Sequence, residues 1–257
     1  MVISDLVNPV MLLLGNRTDV ATLAVQEIAD AITEITDNYP FEELRESGPV
    51  VQFTPGVNSY NSTFFIQPAT GGNPQHVFNK VISWFFYLQP PVNLATNPNI
   101  GFANPGYSLR FRDVEDLEVL LNTISLPQFW TQIGTTDAVG NAQLIVGATP
   151  QQSFFTYMRY QFKQTFTSPV ALASDPILVD ILWKDIFQYA AAERIALQLR
   201  MQDVADRYHT KIFGDPEFER SSGGKGQPGL IARRISQTQK NQSRSTRSVR
   251  MMGRGVY

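Results

Sequence analysis

The sequence predicts an α+β fold with a helical body, a central antiparallel β region and an extended C-terminal arm. Three observations predict it. Apolar residues recur at three- and four-residue steps near the N-terminus and again from residue 176, the pattern of amphipathic helices. Between them, turn signals rich in Pro, Gly and Asn separate short β-rich runs. The final residues are rich in Ser, Gln and Arg, a composition that buries too little apolar surface to fold alone.

The N-terminal part of the helical body is predicted over residues 1–47. A short helix is expected from Ile3 to Leu14, with Pro9 tolerated near its start or at a kink. A second, amphipathic helix of about five turns starts at an N-cap at Thr18 or Asp19. It ends before Pro40, because the residue preceding a proline is disfavoured in the helical conformation.

The central region, residues 48–175, is predicted to be mainly β with a short helical insertion. Asp113 is the expected N-cap of that insertion, which runs through Leu121. Turn residues bound each of the predicted strands. These strands are Val50–Thr54, Ser62–Gln67, Val81–Leu88, Tyr107–Arg112, Gln143–Gly147 and Phe154–Phe166.

A long helix over residues 176–213 is predicted to complete the helical body and to pack on the helix that follows Thr18. Its apolar residues form one broad face, and Gly214 followed by Pro216 ends it in the order expected at a helix C-terminus. Residues 214–257 then form the extended, basic C-terminal arm.

Charged residues make up 17% of the chain, below the ~25% that is usual for soluble domains. From Gly48 to Leu109 the only formally charged side chain is Lys80. Surfaces that face water normally carry charges of both signs. This neutral stretch is therefore expected to contact other subunits.

The net charge of −2 hides an asymmetry between the two ends of the chain. Residues 220–257 carry nine Lys or Arg and no acidic residue, which leaves a charge of −11 on residues 1–219. The chain thus has an acidic body and a basic arm.

The sequence lacks the common catalytic and metal-binding patterns. It has no cysteine and two histidines, and it contains no nucleophile elbow, zinc-protease motif, dinucleotide fingerprint or phosphate-binding loop. His76 and His209 are interpreted as structural, and the acids Asp113, Glu115, Asp116 and Glu118 as the first turn of a capped helix. We expect a protein that is not an enzyme and that needs no metal or cofactor.

Two further features have competing interpretations. Residues Trp84 to Tyr87 are read as a buried strand and not as a platform for stacking bases, because successive strand residues point to opposite faces. The apolar runs, such as Val10 to Leu14, are far shorter than the ~20 residues that cross a bilayer. A soluble chain without a membrane partner is expected.

Two segments carry a resemblance to a known family. The stretch from Ala24 to Leu44, with Gly48–Gln52 and Gly56–Tyr60, resembles the opening of tailed-bacteriophage head-to-tail adaptor proteins. The stretch from Tyr189 to Asp215 is similar to the late helix of adaptors of the tail tubular protein A type. The likeness covers about the first 60 and the last 80 residues. The long middle region and the basic arm depart from the compact members.

The resemblance implies a structural protein of the virion neck or tail, made in the host cytoplasm. It implies a ring, commonly of twelve copies, that joins the portal to a tail or nozzle protein and lets genomic DNA pass without specific binding. The C-terminal arm would dock on the portal. The predicted docking residues in it are Arg220, Lys225, Leu230, Ile231, Arg233, Arg234, Ile235, Lys240, Arg244, Arg247, Val249, Arg250, Met251, Arg254 and Tyr257.

Two alternatives to the adaptor stay open. In the first, the chain is a capsid protein whose β part forms the shell and whose basic arm binds packaged nucleic acid, since phosphate contacts come mainly from Lys and Arg. In the second, it is a carboxylate-dependent enzyme. The intermittent apolar residues in the arm favour a strap that docks on protein.

Overall fold

A computed structural model of the protein describes residues 1–67, 76–88, 106–115, 121, 123–133, 141–166, 171–214 and 229–236. The fold is α+β, as the sequence predicts, and the sheets are mainly antiparallel. The chain divides into two compact units. We call residues 1–34 and 166–257 the helical unit, and residues 35–165 the sheet unit.

Five α-helices are seen among the described residues. They are α1 (Ser4–Leu13), α2 (Ala21–Asn38), α3 (Lys184–Gln198), α4 (Gln202–Phe213) and α5 (residues 230–236). Pro9 lies inside α1, and a 3-10 turn at Thr18–Val20 leads into α2. Helix α2 begins in the helical unit and ends in the sheet unit.

The single long helix predicted over residues 176–213 is two helices that fold back on each other. Arg200 adopts a left-handed conformation, with φ of 59°, and the Met201 amide donates to the Ala196 carbonyl at 2.8 Å, which closes the end of α3. In a continuous helix Glu193 and His209 would lie ~24 Å apart. Their side chains are instead 2.8 Å apart, because the chain reverses between them.

Polar contacts link the helices of the helical unit. The Tyr208 hydroxyl of α4 donates to the Leu13 carbonyl at 2.6 Å and so caps the last turn of α1. The buried Glu27 carboxylate of α2 accepts from Gln198 and lies 3.6 Å from Arg194, both on α3. Between these contacts the apolar faces are buried, with Ile28, Ile32, Ile186, Phe187, Ala191 and Ile195 all shielded from solvent. The predicted helical body is therefore present.

Eleven strands are described in the sheet unit. They are β1 (Arg45–Ser47), β2 (Val51–Gln52), β3 (Ser59–Asn61), β4 (Phe78–Tyr87), β5 (Tyr107–Ser108), β6 (Arg110–Phe111), β7 (Ile124–Ser125), β8 (Phe129–Ile133), β9 (Gln143–Gly147), β10 (Thr149–Pro150) and β11 (Phe155–Phe162). One sheet has the order β1-β11-β4-β5, with β2 also paired to β11, and the other has the order β3-β9-β8-β6. The pairs β6 with β8 and β7 with β10 are parallel.

The strand predictions succeed where alternation or turn signals are strong. Strand β9 matches the predicted Gln143–Gly147, and β4 and β11 overlap their predictions over most of their lengths. Ser62–Phe65 was predicted as a strand but forms a 3-10 turn, because the Asn61 side chain accepts the Thr63 amide at 2.9 Å and turns the chain. The predicted strand Tyr107–Arg112 splits into β5 and β6, which join different sheets.

Only part of the predicted helical insertion can be located. Val114, Glu115 and Leu121 are helical, and the residues between Glu115 and Leu121 lie outside the described residues. Asp113 and Glu115 are exposed.

Aromatic rings fill the space between the two sheets. The Trp84 ring of β4 packs 6.0 Å from that of Trp130 in β8 and 4.8 Å from that of Phe65. Its indole nitrogen donates to the Thr156 hydroxyl at 2.7 Å, so the buried polar atom is satisfied. The buried-strand interpretation of residues 84–87 is thus confirmed.

Gly48 allows the chain after β1 to pass close to the opposite backbone. Its amide donates to the Met158 carbonyl at 2.8 Å. A β-carbon at this position would lie only 2.0 Å from the Phe65 carbonyl oxygen, so a larger residue would force the two backbones apart.

The C-terminal end of α2 is capped by side chains of the five-stranded sheet. Gln161, fully buried in β11, donates to the carbonyls of Thr36 and Tyr39 at 2.6 and 3.0 Å and accepts the Phe41 amide at 3.1 Å. Lys80, in β4, donates to the Asp37 carbonyl at 3.0 Å. The carbonyl groups that a helix leaves unpaired at its end are therefore bonded in a place where water has little access.

Asp37 lies beside this cap. Burial raises the pKa of its carboxyl above the ordinary value of 3.8, and the nearby Lys163 and Lys80 cations oppose that rise. Burial lowers the pKa of Lys80, whereas Asp37 raises it. One carboxyl oxygen of Asp37, Oδ1, is buried without a hydrogen-bond partner among the described residues.

Replacing Gln161 with Ala is predicted to lower the free energy of unfolding by about 2–4 kcal/mol, because two carbonyls and one amide would lose the hydrogen bonds that the Gln161 side chain makes with them. Urea denaturation followed by circular dichroism measures the change. The matched control is Gln143→Ala, an exposed glutamine of β9, which should change stability by about 0.5 kcal/mol or less. Equal effects of the two substitutions would contradict the capping role.

Replacing Asp37 with Asn is predicted to stabilise the protein at pH 7 and to lose that advantage at low pH. The stability that Asp37 contributes is fully present below pH 3.8 and falls as the pH rises through its raised pKa, since the ionised carboxyl is disfavoured in the folded state. Denaturation curves of parent and variant between pH 3.5 and pH 7 measure this. The control is Asp185→Asn, at an exposed carboxyl. A constant difference between Asp37→Asn and parent across that range would contradict the assignment.

Candidate docking site

Five of the predicted docking residues lie in the described part of the arm: Leu230, Ile231, Arg233, Arg234 and Ile235. The structure brings them together on one short helix, α5. The others, Arg220, Lys225, Lys240, Arg244, Arg247, Val249, Arg250, Met251, Arg254 and Tyr257, lie outside the described residues.

The arm was predicted to be extended from residue 214 onward, and its described part is not. Residues 230–236 are helical, with the Arg233 amide donating to the Gly229 carbonyl at 3.2 Å. The Ser236 hydroxyl donates to the Arg233 carbonyl at 2.9 Å and caps the end of the helix. The sequence indicates this helix only weakly, because a helix so short depends on tertiary contacts for its stability.

Helix α5 is seated on the end of α4. A β-carbon at Gly229 would lie 2.2 Å from the Ile212 carbonyl oxygen and 2.4 Å from the Gly214 amide nitrogen. Glycine is required for this approach, since those atoms belong to the backbone and cannot rotate away. Gly214 itself ends α4 with φ of 106°, a conformation that favours glycine.

The side chains of α5 divide into a buried face and an outer face. Ile231 is only 3% exposed, and Leu230 and Ile235 are half-buried. Arg233 is exposed and Arg234 is half-buried. Ile231 of the arm therefore packs against the chain itself, while Arg233 faces solvent.

A second surface of the helical unit exposes large apolar side chains. Ile181 is 64% exposed and Leu182 is 56% exposed, and Leu172 and Leu178 are about half-exposed. We call these four residues the apolar strip. They alternate with Ile177, Val179 and Trp183, which are buried.

Local hydrogen bonds hold the apolar strip in an ordered conformation. The Asp180 carboxylate accepts the Leu182 amide at 2.9 Å, which forms the N-cap of the 3-10 turn Ile181–Trp183. The Asp175 carboxylate accepts the Leu172 amide at 3.0 Å. The backbone that carries the exposed side chains is thus held by hydrogen bonds within the chain.

The sheet unit also exposes apolar side chains, several of them in the neutral stretch from Gly48 to Leu109. The Tyr107 ring stacks on that of Phe86 at 5.2 Å, and the Phe111 ring packs on that of Trp130 at 5.0 Å, each leaving about half of its surface in solvent. The other exposed examples are Val57, Phe64, Leu88, Ile124 and Leu126.

The two histidines take part in local ion pairs. His76 Nδ1 lies 3.1 Å from the Glu46 carboxylate, and its ring stacks on that of Phe162 at 4.0 Å. His209 Nδ1 lies 2.8 Å from the Glu193 carboxylate. Across the described ranges no group of three or more His, Asp or Glu side chains is arranged to hold a metal ion.

A search of the described helices finds none that is both long enough and apolar enough to cross a membrane. Comparison with known protein families gives no match, and neither does comparison with curated protein sequences.

Replacing Ile231 with Asp is predicted to release α5 from the helical unit, because a charge would enter a buried apolar contact. Hydrogen exchange of the amides of residues 230–236 should become at least about tenfold faster, while the amides of α1 and α4 keep their protection. The control is Arg233→Gln, at an exposed position of the same helix. Unchanged protection in Ile231→Asp would show that α5 is not held by this side chain.

Proposed function

We propose that this protein is a structural subunit of a head-to-tail adaptor ring in a tailed bacteriophage and has no catalytic role. Its partners are copies of itself, the portal protein bound through the basic arm, and a tail or nozzle protein. Genomic DNA passes through the ring without specific binding. The observation that carries the proposal is the apolar strip, an ordered apolar surface of the helical unit that faces solvent in the isolated chain.

The apolar strip has the features of a subunit interface. Contiguous exposed apolar side chains mark interaction surfaces, because leaving them in water costs free energy that burial against a partner recovers. The hydrogen bonds of Asp175 and Asp180 fix the backbone beneath them. Little conformational entropy is then lost on binding, which favours association. The occupant we assign to the strip is the neighbouring copy in the ring.

Charge distribution supports the attachment of the arm to protein. Residues 1–219 carry −11, whereas residues 220–257 carry +9. A basic segment is attracted to an acidic surface, whether that surface belongs to the next copy or to the partner above the ring. Helix α5, the part of the arm that the structure describes, packs on its own unit through the buried Ile231.

The acidic body also suits a ring through which DNA moves. A surface of net negative charge repels the phosphate backbone, so it does not retain DNA during passage.

The capsid alternative is favoured by one observation, the pair of sheets that face each other across an aromatic core in the sheet unit. Such a sandwich is a common shell architecture. The two candidates differ in the form of the assembly, since an adaptor forms an open ring and a capsid protein a closed shell.

The double substitution Ile181→Asp with Leu182→Asp is predicted to leave the subunit folded and to prevent its assembly, because like charges would replace the apolar contact with the neighbour. Mass photometry of the purified protein measures the number of copies, and circular dichroism verifies the fold. Thr22→Asp, at an exposed position of α2, adds an acid to the same unit and is the control. Assembly of the double variant at the parent's concentration would refute the role of the strip.

A further inference from the structure

A polar cleft opens on the five-stranded sheet of the sheet unit. It has a volume of about 240 Å³ and lies over strands β1, β11 and β4. Its lining residues are Arg45, Glu46, Ser47, Ile82, Ser83 and Arg159. Two arginines and two serines converge there, although these residues come from three separate parts of the sequence.

The strand register explains how the cleft is built. Arg159 of β11 lies directly opposite Ser47 of β1 on one side and opposite Ser83 of β4 on the other. A β-bulge follows Arg159. Arg159 pairs with Ser83, whereas the next residue of β11, Tyr160, pairs with Val81. Directly opposed residues in an antiparallel sheet share a face. The Arg159 side chain therefore leaves the sheet between two serine side chains.

A second guanidinium lies on the same face. Arg45 precedes Ser47 by two residues in β1, so both side chains project from one side of the strand. Arg45 pairs across the strand with Gln161, which in turn pairs with Lys80. The two cations that line the cleft, Arg45 and Arg159, are thus brought to one face of the sheet.

The carboxylate nearest in sequence does not neutralise these cations. Glu46 also lines the cleft, but its Oε2 atom accepts from the Tyr160 hydroxyl at 2.7 Å and lies 3.1 Å from His76 Nδ1. Arg45 makes a long ion pair of 3.6 Å with Glu42. For Arg159, no carboxylate among the described residues lies within ion-pair distance.

We propose that this cleft is a binding site for an oxyanion, either a carboxylate or a phosphate group. Arginine presents paired donors that match two oxygens of such a group, and the serine hydroxyls of Ser47 and Ser83 supply further donors. Two sources offer this chemistry: free inorganic phosphate and an acidic side chain of a bound peptide. The site is independent of the proposed ring, because its residues all belong to one sheet of a single chain.

Nuclear magnetic resonance titration of the full-length protein at low salt tests the proposal, with the backbone amide signal of Ser83, which lines the cleft and is kept in every variant, as the probe. Inorganic phosphate is added in one series and a tetraglutamate peptide in another. At least one of them should shift that signal with saturation. Arg159→Gln should weaken binding about tenfold or more, as expected for loss of a charge-assisted contact, with Arg159→Lys intermediate between Gln and parent.

The matched control is Arg207→Gln, at an exposed arginine of α4 in the helical unit. It should leave binding within about twofold of the parent, because Arg207 is not one of the residues that line the cleft. Thermal melting shows whether each variant is folded. Arg45→Gln is measured in parallel and should also weaken binding, so that the conclusion does not depend on the Arg159 substitution alone.

Saturable binding of phosphate would identify a free anion as the ligand, and binding of the peptide alone would identify an acidic segment of a protein. Either result, combined with loss of binding in Arg159→Gln, supports the oxyanion site. The proposal is overturned if neither compound shifts the signal at concentrations up to about 10 mM. A Kd above that concentration is weaker than the Kd of an ordinary specific contact. It is also overturned if Arg207→Gln weakens binding as much as Arg159→Gln does.

Discussion

The sheet unit depends on the capped end of α2. A helix that ends against a sheet places its last carbonyl groups where water cannot reach them, and each unpaired group would cost free energy. Gln161 satisfies two of these carbonyls and one amide from the middle of β11, the strand that pairs with β1, β2 and β4. Gln161 therefore belongs to a paired strand of the sheet and also caps the end of α2 with its side chain.

This constraint accounts for the one charge in the neutral stretch. Lys80 is the only formally charged side chain between Gly48 and Leu109, and its ammonium group donates to the α2 carbonyl of Asp37. A cation at this place is favoured by the negative end of the helix dipole. At other positions of this stretch, charged side chains are absent for a different reason. The side chains of Trp84, Phe86 and Tyr87 face the interior.

The sequence allowed prediction of the fold class and of the elements whose signals are local. Strand β9 is a short apolar run bounded by turn residues, and α2 has a clear apolar period. The reversal at Arg200 was missed because a non-glycine residue takes the left-handed conformation there without any Gly or Pro nearby. Neither α5 nor the cleft could be anticipated. Gly229 meets Ile212 and Arg159 meets Ser47 only through contacts between distant parts of the chain.

The proposed adaptor role depends on three surfaces, each with a different function. The apolar strip supplies an ordered apolar contact, the acidic body repels DNA, and the basic arm is attracted to acidic protein. Electron microscopy of the purified, negatively stained full-length protein tests the combination most directly. The account predicts rings with a central hole wide enough for a DNA duplex. Single subunits at micromolar concentration, or closed shells, would contradict it.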